Sequence, residues 1–193
     1  MYGGEIWGYQ KQRQIEQVHI AFCKFFLGLS GKSSNMAALG ECGRYPMYVT
    51  LYIKCIKYWL AILQLPEHRY PKQIYNMLRE QDSAGRVTWA SHIKSLLGAY
   101  GYNEVWQNQA VANQKSFLAE LREKIEQKFK DEWREKLNSL DKLCTYRDLK
   151  QEWGTESYVV DLQDFRLRKA LAKFRCSNHN LRIERQRYGP LYR

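Results

Sequence analysis

The stretch 114–140, QKSFLAELREKIEQKFKDEWREKLNSL, decides the fold. Within it Phe117, Leu121, Ile125, Phe129, Trp133, Leu137 and Leu140 recur at steps of four or three. An α-helix returns to one face about every 3.6 residues, so this spacing predicts one long amphipathic helix near 114–140. Glu120/Lys124, Glu126/Lys130 and Glu132/Lys136 set acid before base at i,i+4, the favourable order on a solvent-facing side. A step of four advances about 400°, so the stripe drifts around the helix and meets different neighbours along its length. That drift argues against a straight dimeric coiled coil.

Working outward, the same period recurs. Ile15, Val18, His19, Phe22, Phe25 and Phe26 trace a helical face from roughly Gln12 to Leu27, which Gly28 can close. Ser33 and Ser34 suit the N-terminus of a short helix, Asn35 to Glu41, and Pro46 suits the first turn of a second long helix reaching about Leu63. A helix after Pro71 is expected to turn Ile74 and Leu78 inward. Another after Thr88 carries Trp89, His92, Ile93, Leu96 and Leu97 and ends at Gly98 or Gly101. Few stretches alternate as a half-buried strand does. The expected fold is all-α, an irregular multi-helix bundle. The Asn/Gln-rich run 107–114 suggests a division into an N-terminal helical unit, 1–106, and a C-terminal helical unit with a basic tail, 107–193, unless the whole is one domain.

The chain has 193 residues, 45% of them hydrophobic, with six Trp and fourteen Tyr, a composition that can fill a core and not that of a disordered tail. Five cysteines, odd in number and widely spaced, read as reduced thiols in an intracellular protein, nuclear or cytoplasmic. The start, Met1-Tyr2-Gly3-Gly4-Glu5, lacks the charged entry to an apolar core that a secretory leader needs. The most apolar run, Met47 to Leu65, is interrupted by Thr50, Lys54 and Lys57 and reads as a buried helix, so no membrane association is expected.

Charge is unevenly spread. Of the net +11, residues 1–102 contribute +6, 103–164 contribute −3 and 165–193 contribute +8, the last from nine basic residues and one acid. A polyanion is therefore the leading partner. Leu167, Ala170, Leu171 and Phe174 fall at i, i+3, i+4 and i+7, which predicts a packed helix with Arg166, Lys169 and Lys173 outward. The expected nucleic-acid contacts are Arg166, Arg168, Lys169, Lys173, Arg175, Arg182, Arg185 and Arg187 on phosphates, with Tyr188 as a stacking platform.

No catalytic set converges. Phosphate-binding G-x-x-x-x-G-K-[ST], G-x-G-x-x-G, H-E-x-x-H and G-x-S-x-G patterns are all missing from the sequence. His19 and Cys23 stand one helical turn apart, and Cys176 and His179 have the spacing of half a zinc site, but two ligands do not make a site. Asp161 and Asp164 precede the basic helix, where capping is the better use of an acid. The expectation is a non-enzyme with no cofactor and no metal.

Tyr2-Gly3-Gly4-Glu5-Ile6-Trp7-Gly8 resembles the Y-G-x-E-x-W-G segment closing the polymerase region of non-LTR (LINE-type) retrotransposon reverse transcriptase polyproteins. Val18-His19-Ile20-Ala21-Phe22-Cys23-Lys24 through Leu27-Gly28 is similar to that family's helix after the thumb. Asn35 and Leu39-Gly40-Glu41-Cys42-Gly43-Arg44-Tyr45-Pro46 resembles its G-E-L-G-R-Y-P motif, with Cys42 where Leu is common. Ile56-Lys57-Tyr58-Trp59, then Leu171 to Glu184 with Arg187-Tyr188, continue the order. The resemblance implies the post-polymerase region, without the catalytic palm and its aspartates, since the chain has no Asp-Asp pair. It further implies a non-catalytic fragment or descendant that holds RNA or an RNA–DNA hybrid, with a polymerase domain in trans or self-association as further partnerships. The alternatives are a helical protein–protein interaction module and a retroelement remnant without function.

Overall fold

The computed structural model describes residues 2–179, and among them the only regular elements are helices. In chain order these are α1 (Gly4–Trp7), α2 (Arg13–Leu27), α3 (Asn35–Glu41), α4 (Met47–Leu63), α5 (Tyr70–Ser83) and α6 (Trp89–Gly98). They continue as α7 (Asn103–Asn108), α8 (Gln114–Asn138), α9 (Cys144–Leu149), α10 (Ser157–Asp161) and α11 (Phe165–Arg175), with a single 3₁₀ turn at Asp141–Leu143. The fold is all-α.

The packing does not divide the chain near residue 107. Instead it forms two units, each discontinuous in sequence: one takes the segment up to Arg13 with Met47–Gln127, the other Gln14–Pro46 with the described residues from Lys128 onward. The Asn/Gln-rich run lies inside the first unit. Its polarity has a packing use, because Gln109 accepts a hydrogen bond from the buried Tyr75 hydroxyl.

In the first unit α4 supplies the centre, burying Val49, Leu51, Cys55, Ile56, Trp59 and Leu60. The short helix α1 lies on it because Gly4 and Gly8 present no side chain: a Cβ at either would sit 2.9 Å from a Leu51 side-chain carbon. Trp59 donates its indole N–H to the Tyr75 hydroxyl at 2.9 Å, so two large aromatics are buried with their polar atoms satisfied. Thr88 starts α6 with a capping box, its side chain and that of Ser91 each bonding the other's backbone N–H. On α5 the expected face is one residue out of phase. Ile74 is 52% exposed and Tyr75 is 2% exposed, because the hydroxyl held by Trp59 and Gln109 sets the rotation of that helix.

The second unit is built around a carboxylate. Glu41, at the end of α3, is fully buried and receives Arg175 of α11 through two bonds, Nε to Oε2 at 2.8 Å and Nη2 to Oε1 at 3.2 Å. Tyr158 also donates its hydroxyl to Glu41. Arg175 reaches on to Glu156 at 2.8 Å, and Glu156 pairs with the buried Lys150 at 2.6 Å. Burying one charge alone would cost several kcal/mol, at least ~3, so this alternating chain is what makes the arrangement tolerable.

The glycines flanking Glu41 let the chain approach closely. A Cβ at Gly40 would lie 2.5 Å from the Tyr146 hydroxyl, and Gly43, at φ 58°, would place one 2.4 Å from the Thr155 backbone nitrogen. There an isolated antiparallel bridge joins Cys42 to Thr155. Tyr45 continues into an aromatic cluster with Phe129 and Trp153, the latter 5.1 Å from Trp133 between ring centroids.

Candidate nucleic-acid interface

Helix α11 is placed by its small residues and by one cation anchored on a buried acid. Ala172 and Cys176 are buried, and Arg175 is anchored on Glu41. Asp164 caps the start, accepting the Arg166 N–H at 2.7 Å. Asp161 has no such place, being the last residue of α10.

This orientation reverses the expected faces. Leu167 is 57% exposed and Phe174 48%, with Ala170 and Leu171 also exposed. The apolar stripe faces solvent, since the Arg175–Glu41 pair and the close approach of Ala172 fix the rotation.

The five described cations divide by role. Arg166 is exposed, while Lys169 and Lys173 are half-buried. The Lys169 stem lies over Gly28, where a Cβ would meet its Cγ at 2.5 Å, and its ammonium is 5.7 Å from the Phe165 ring centroid. Arg168 stacks its guanidinium 4.6 Å from the Phe26 ring centroid and donates Nη1 to the Leu162 carbonyl at 3.1 Å, leaving its buried Nε without a bond. Arg175 belongs to the interior. Burial by itself would depress its guanidinium, but the bonds and charge of Glu41, then Glu156, carry it above the ordinary value. A phosphate contact from Arg175 would require breaking that pair, so it is removed from the interface. Arg182, Arg185, Arg187 and Tyr188 lie outside the described residues.

Sequence reasoning missed the aromatics beside these cations. Phe22 and Phe25, read from the sequence as part of one apolar face of α2, are 62% and 79% exposed, and Val18 is exposed with them. Phe22 stacks on Phe26 at 6.5 Å between centroids, and Phe26 in turn carries Arg168. The signal was there: α2 holds apolar residues on more of its circumference than one packed face can use, and Cys23 and Leu27 already supply the buried one.

Arg166, Lys169 and Lys173 can neutralise phosphates, and Phe22, Phe25 and Phe165 offer ring faces on which bases stack. Among the described residues no group of three or more His, Cys, Asp or Glu is arranged to hold a metal ion, and no helix is long and apolar enough to cross a membrane. The chain matches no protein-family model, no curated protein and no solved structure.

Proposed function

We propose that this chain is a non-catalytic fragment or descendant of a retrotransposon reverse transcriptase polyprotein that binds the backbone of RNA or an RNA–DNA hybrid. The observation carrying the binding reading is the surface of α11, where Arg166 is exposed, Lys169 and Lys173 are half-exposed and Phe165 has its ring centroid 5.7 Å from the Lys169 ammonium, together with the exposed rings of Phe22 and Phe25 on α2. Phosphate contact by the lysines and Arg166 gives affinity without sequence readout, and stacking favours unpaired bases. The retroelement descent rests on the ordered motifs. Several of their residues have close structural uses in one unit: Gly28 under Lys169, Gly40 against Tyr146, Glu41 with Arg175, and Asn178, which bonds Ser30 through both ends of its amide at 2.9 and 3.0 Å.

Fluorescence anisotropy against an RNA hairpin, a DNA duplex and an RNA–DNA hybrid, at several salt concentrations, tests the reading. Each phosphate contact contributes roughly 0.7–0.9 to the slope of log affinity against log salt, so the R166A/K169A/K173A variant should flatten it by about 2 to 3. No salt-sensitive binding by a folded chain would end the proposal.

One observation favours a second reading, a helical protein–protein interaction module: the exposed stripe of Leu167, Leu171 and Phe174 is apolar surface of the kind a partner helix covers. Concentration-dependent mass in sedimentation without nucleic acid, abolished by L167S/L171S, would favour it.

A further inference from the structure

Cys23 on α2 and Cys42 at the end of α3 hydrogen-bond each other. Both wall one open cavity of about 600 Å³, which Phe22, Phe26, Arg44 and Val159 also line. The other described cysteines are placed differently. Cys55 is buried and donates to the Gly4 carbonyl at 3.4 Å, Cys176 is buried beneath α11, and Cys144 is exposed.

The charged surroundings of the pair are ordered along α2. Glu16 bonds His19 Nδ1 at 3.3 Å, and His19 bonds Cys23 one turn further on. Carboxylate, imidazole and thiol thus run in sequence along one side of the helix. The hydrogen bond from Cys42 comes first in holding the Cys23 thiol well below its usual range; burial opposes it, and His19 and Arg44 assist. Cys42 moves the other way, because it donates to Cys23, is buried, and faces the Glu41 carboxylate. The site therefore favours one thiolate, on Cys23, beside one thiol. A low-pKa thiolate next to a second thiol is the arrangement that peroxide-sensing cysteines share.

We propose that Cys23 and Cys42 form a dithiol site oxidised by a small hydroperoxide to an intramolecular disulfide. The Cys23 thiolate attacks one peroxide oxygen and the O–O bond breaks. The departing hydroxide takes the proton held by the His19 imidazolium and leaves as water, giving a sulfenic acid at Cys23. The Cys42 sulfur then attacks the Cys23 sulfur, the S–O bond breaks, and the second hydroxide leaves as water with the Cys42 proton. In sum two thiols and one hydrogen peroxide give one disulfide and two waters. Cys23 is only 2% exposed, so access is through the cavity and selects an oxidant the size of hydrogen peroxide over a bulky disulfide such as oxidised glutathione. The site is independent of the nucleic-acid reading and survives its failure.

The test uses the full chain, reduced and then treated with one equivalent of hydrogen peroxide. Intact mass spectrometry should show the loss of two hydrogens, and peptide mapping should join the Cys23 peptide to the Cys42 peptide, reversibly with dithiothreitol. In Cys42→Ser the reaction should stop at Cys23 sulfenic acid, which dimedone captures, while Cys23→Ser should leave Cys42 unlabelled. Circular dichroism establishes that the variants fold; if one does not, the wild-type peptide map still decides. Oxidation that begins at the exposed Cys144, with Cys23 and Cys42 unlinked, overturns the proposal.

Discussion

Helices α8 and α11 both carry an apolar stripe at helical spacing, and the protein treats them oppositely. Along α8, Phe117, Leu121 and Ile125 are buried in the first unit and Phe129, Trp133 and Leu137 in the second. Along α11 Leu167, Leu171 and Phe174 are exposed, with only His179 stacked on Phe174 at 5.8 Å between centroids, and the helix is held by Ala172, Cys176 and Arg175. Periodicity therefore establishes that a helix has an apolar side, while the deepest anchor decides whether that side is used. On α8 the anchors lie in the stripe itself. On α11 the anchor is a guanidinium whose partner lies 134 residues away in sequence.

The largest effect should come from removing that anchor. Arg175→Ala leaves Glu41 buried without its cation and should cost roughly 3–5 kcal/mol in denaturant unfolding. A cost below ~1 kcal/mol would mean that α11 is held by its small residues alone. Trp133→Ala on α8 should cost a similar ~3–5 kcal/mol, because it empties a buried site and orphans the Met36 carbonyl that its indole reaches at 3.0 Å.

A smaller loss, about 1–3 kcal/mol, is expected for Gly40→Ala, whose new methyl must displace the Tyr146 hydroxyl and the Trp133 ring. Thermal melts would show it as a lowered midpoint with unchanged helicity. The contrast between the stripes sharpens most with Leu121→Ala against Leu171→Ala. The first should lose about 2–5 kcal/mol and the second no more than ~0.5 kcal/mol. Equal losses would show that the α11 stripe is covered in solution.

The smallest effect is a titration. The His19 imidazole is raised from its ordinary 6.5 to about 9, first by its bond to Cys23 and second by Glu16. In Cys23→Ser, NMR should follow the imidazole titrating at a lower pH than in the parent chain, and an unchanged midpoint would place the cause elsewhere.

Much of the helical frame was legible because its signals are local. The short helix Asn35–Glu41, the start of α6 at Thr88 and the inward row of α8 each follow from residues within a turn or two of one another. The errors share one cause, a distant polar bond that sets a rotation. Tyr75 and not Ile74 faces inward because its hydroxyl meets Trp59 and Gln109. Arg175 looked like one cation among nine in a basic segment, and nothing near it in sequence marks it for Glu41. The division into units was hidden for the same reason, since each is closed by segments that the other interrupts. Of the candidate interface, Arg166, Lys169 and Lys173 were legible from charge, whereas the helical face traced through Phe22 and Phe25 did not show that Cys23 and Leu27 would take the buried side.

The pairing of Glu41 with Arg175 also sets a timetable for synthesis. The acid leaves the ribosome 134 residues ahead of its cation, and at about 5–20 residues per second that gap lasts roughly 7 to 27 s. During that interval α3 cannot seat its carboxylate on Arg175, so the second unit closes only once Arg175 has emerged, whereas the 47–127 segment of the first can begin to pack while translation continues. The nascent chain thus carries an unsatisfied acid through that interval, joined late in it by Trp133 and Tyr146, a window in which a holding chaperone would find its surface.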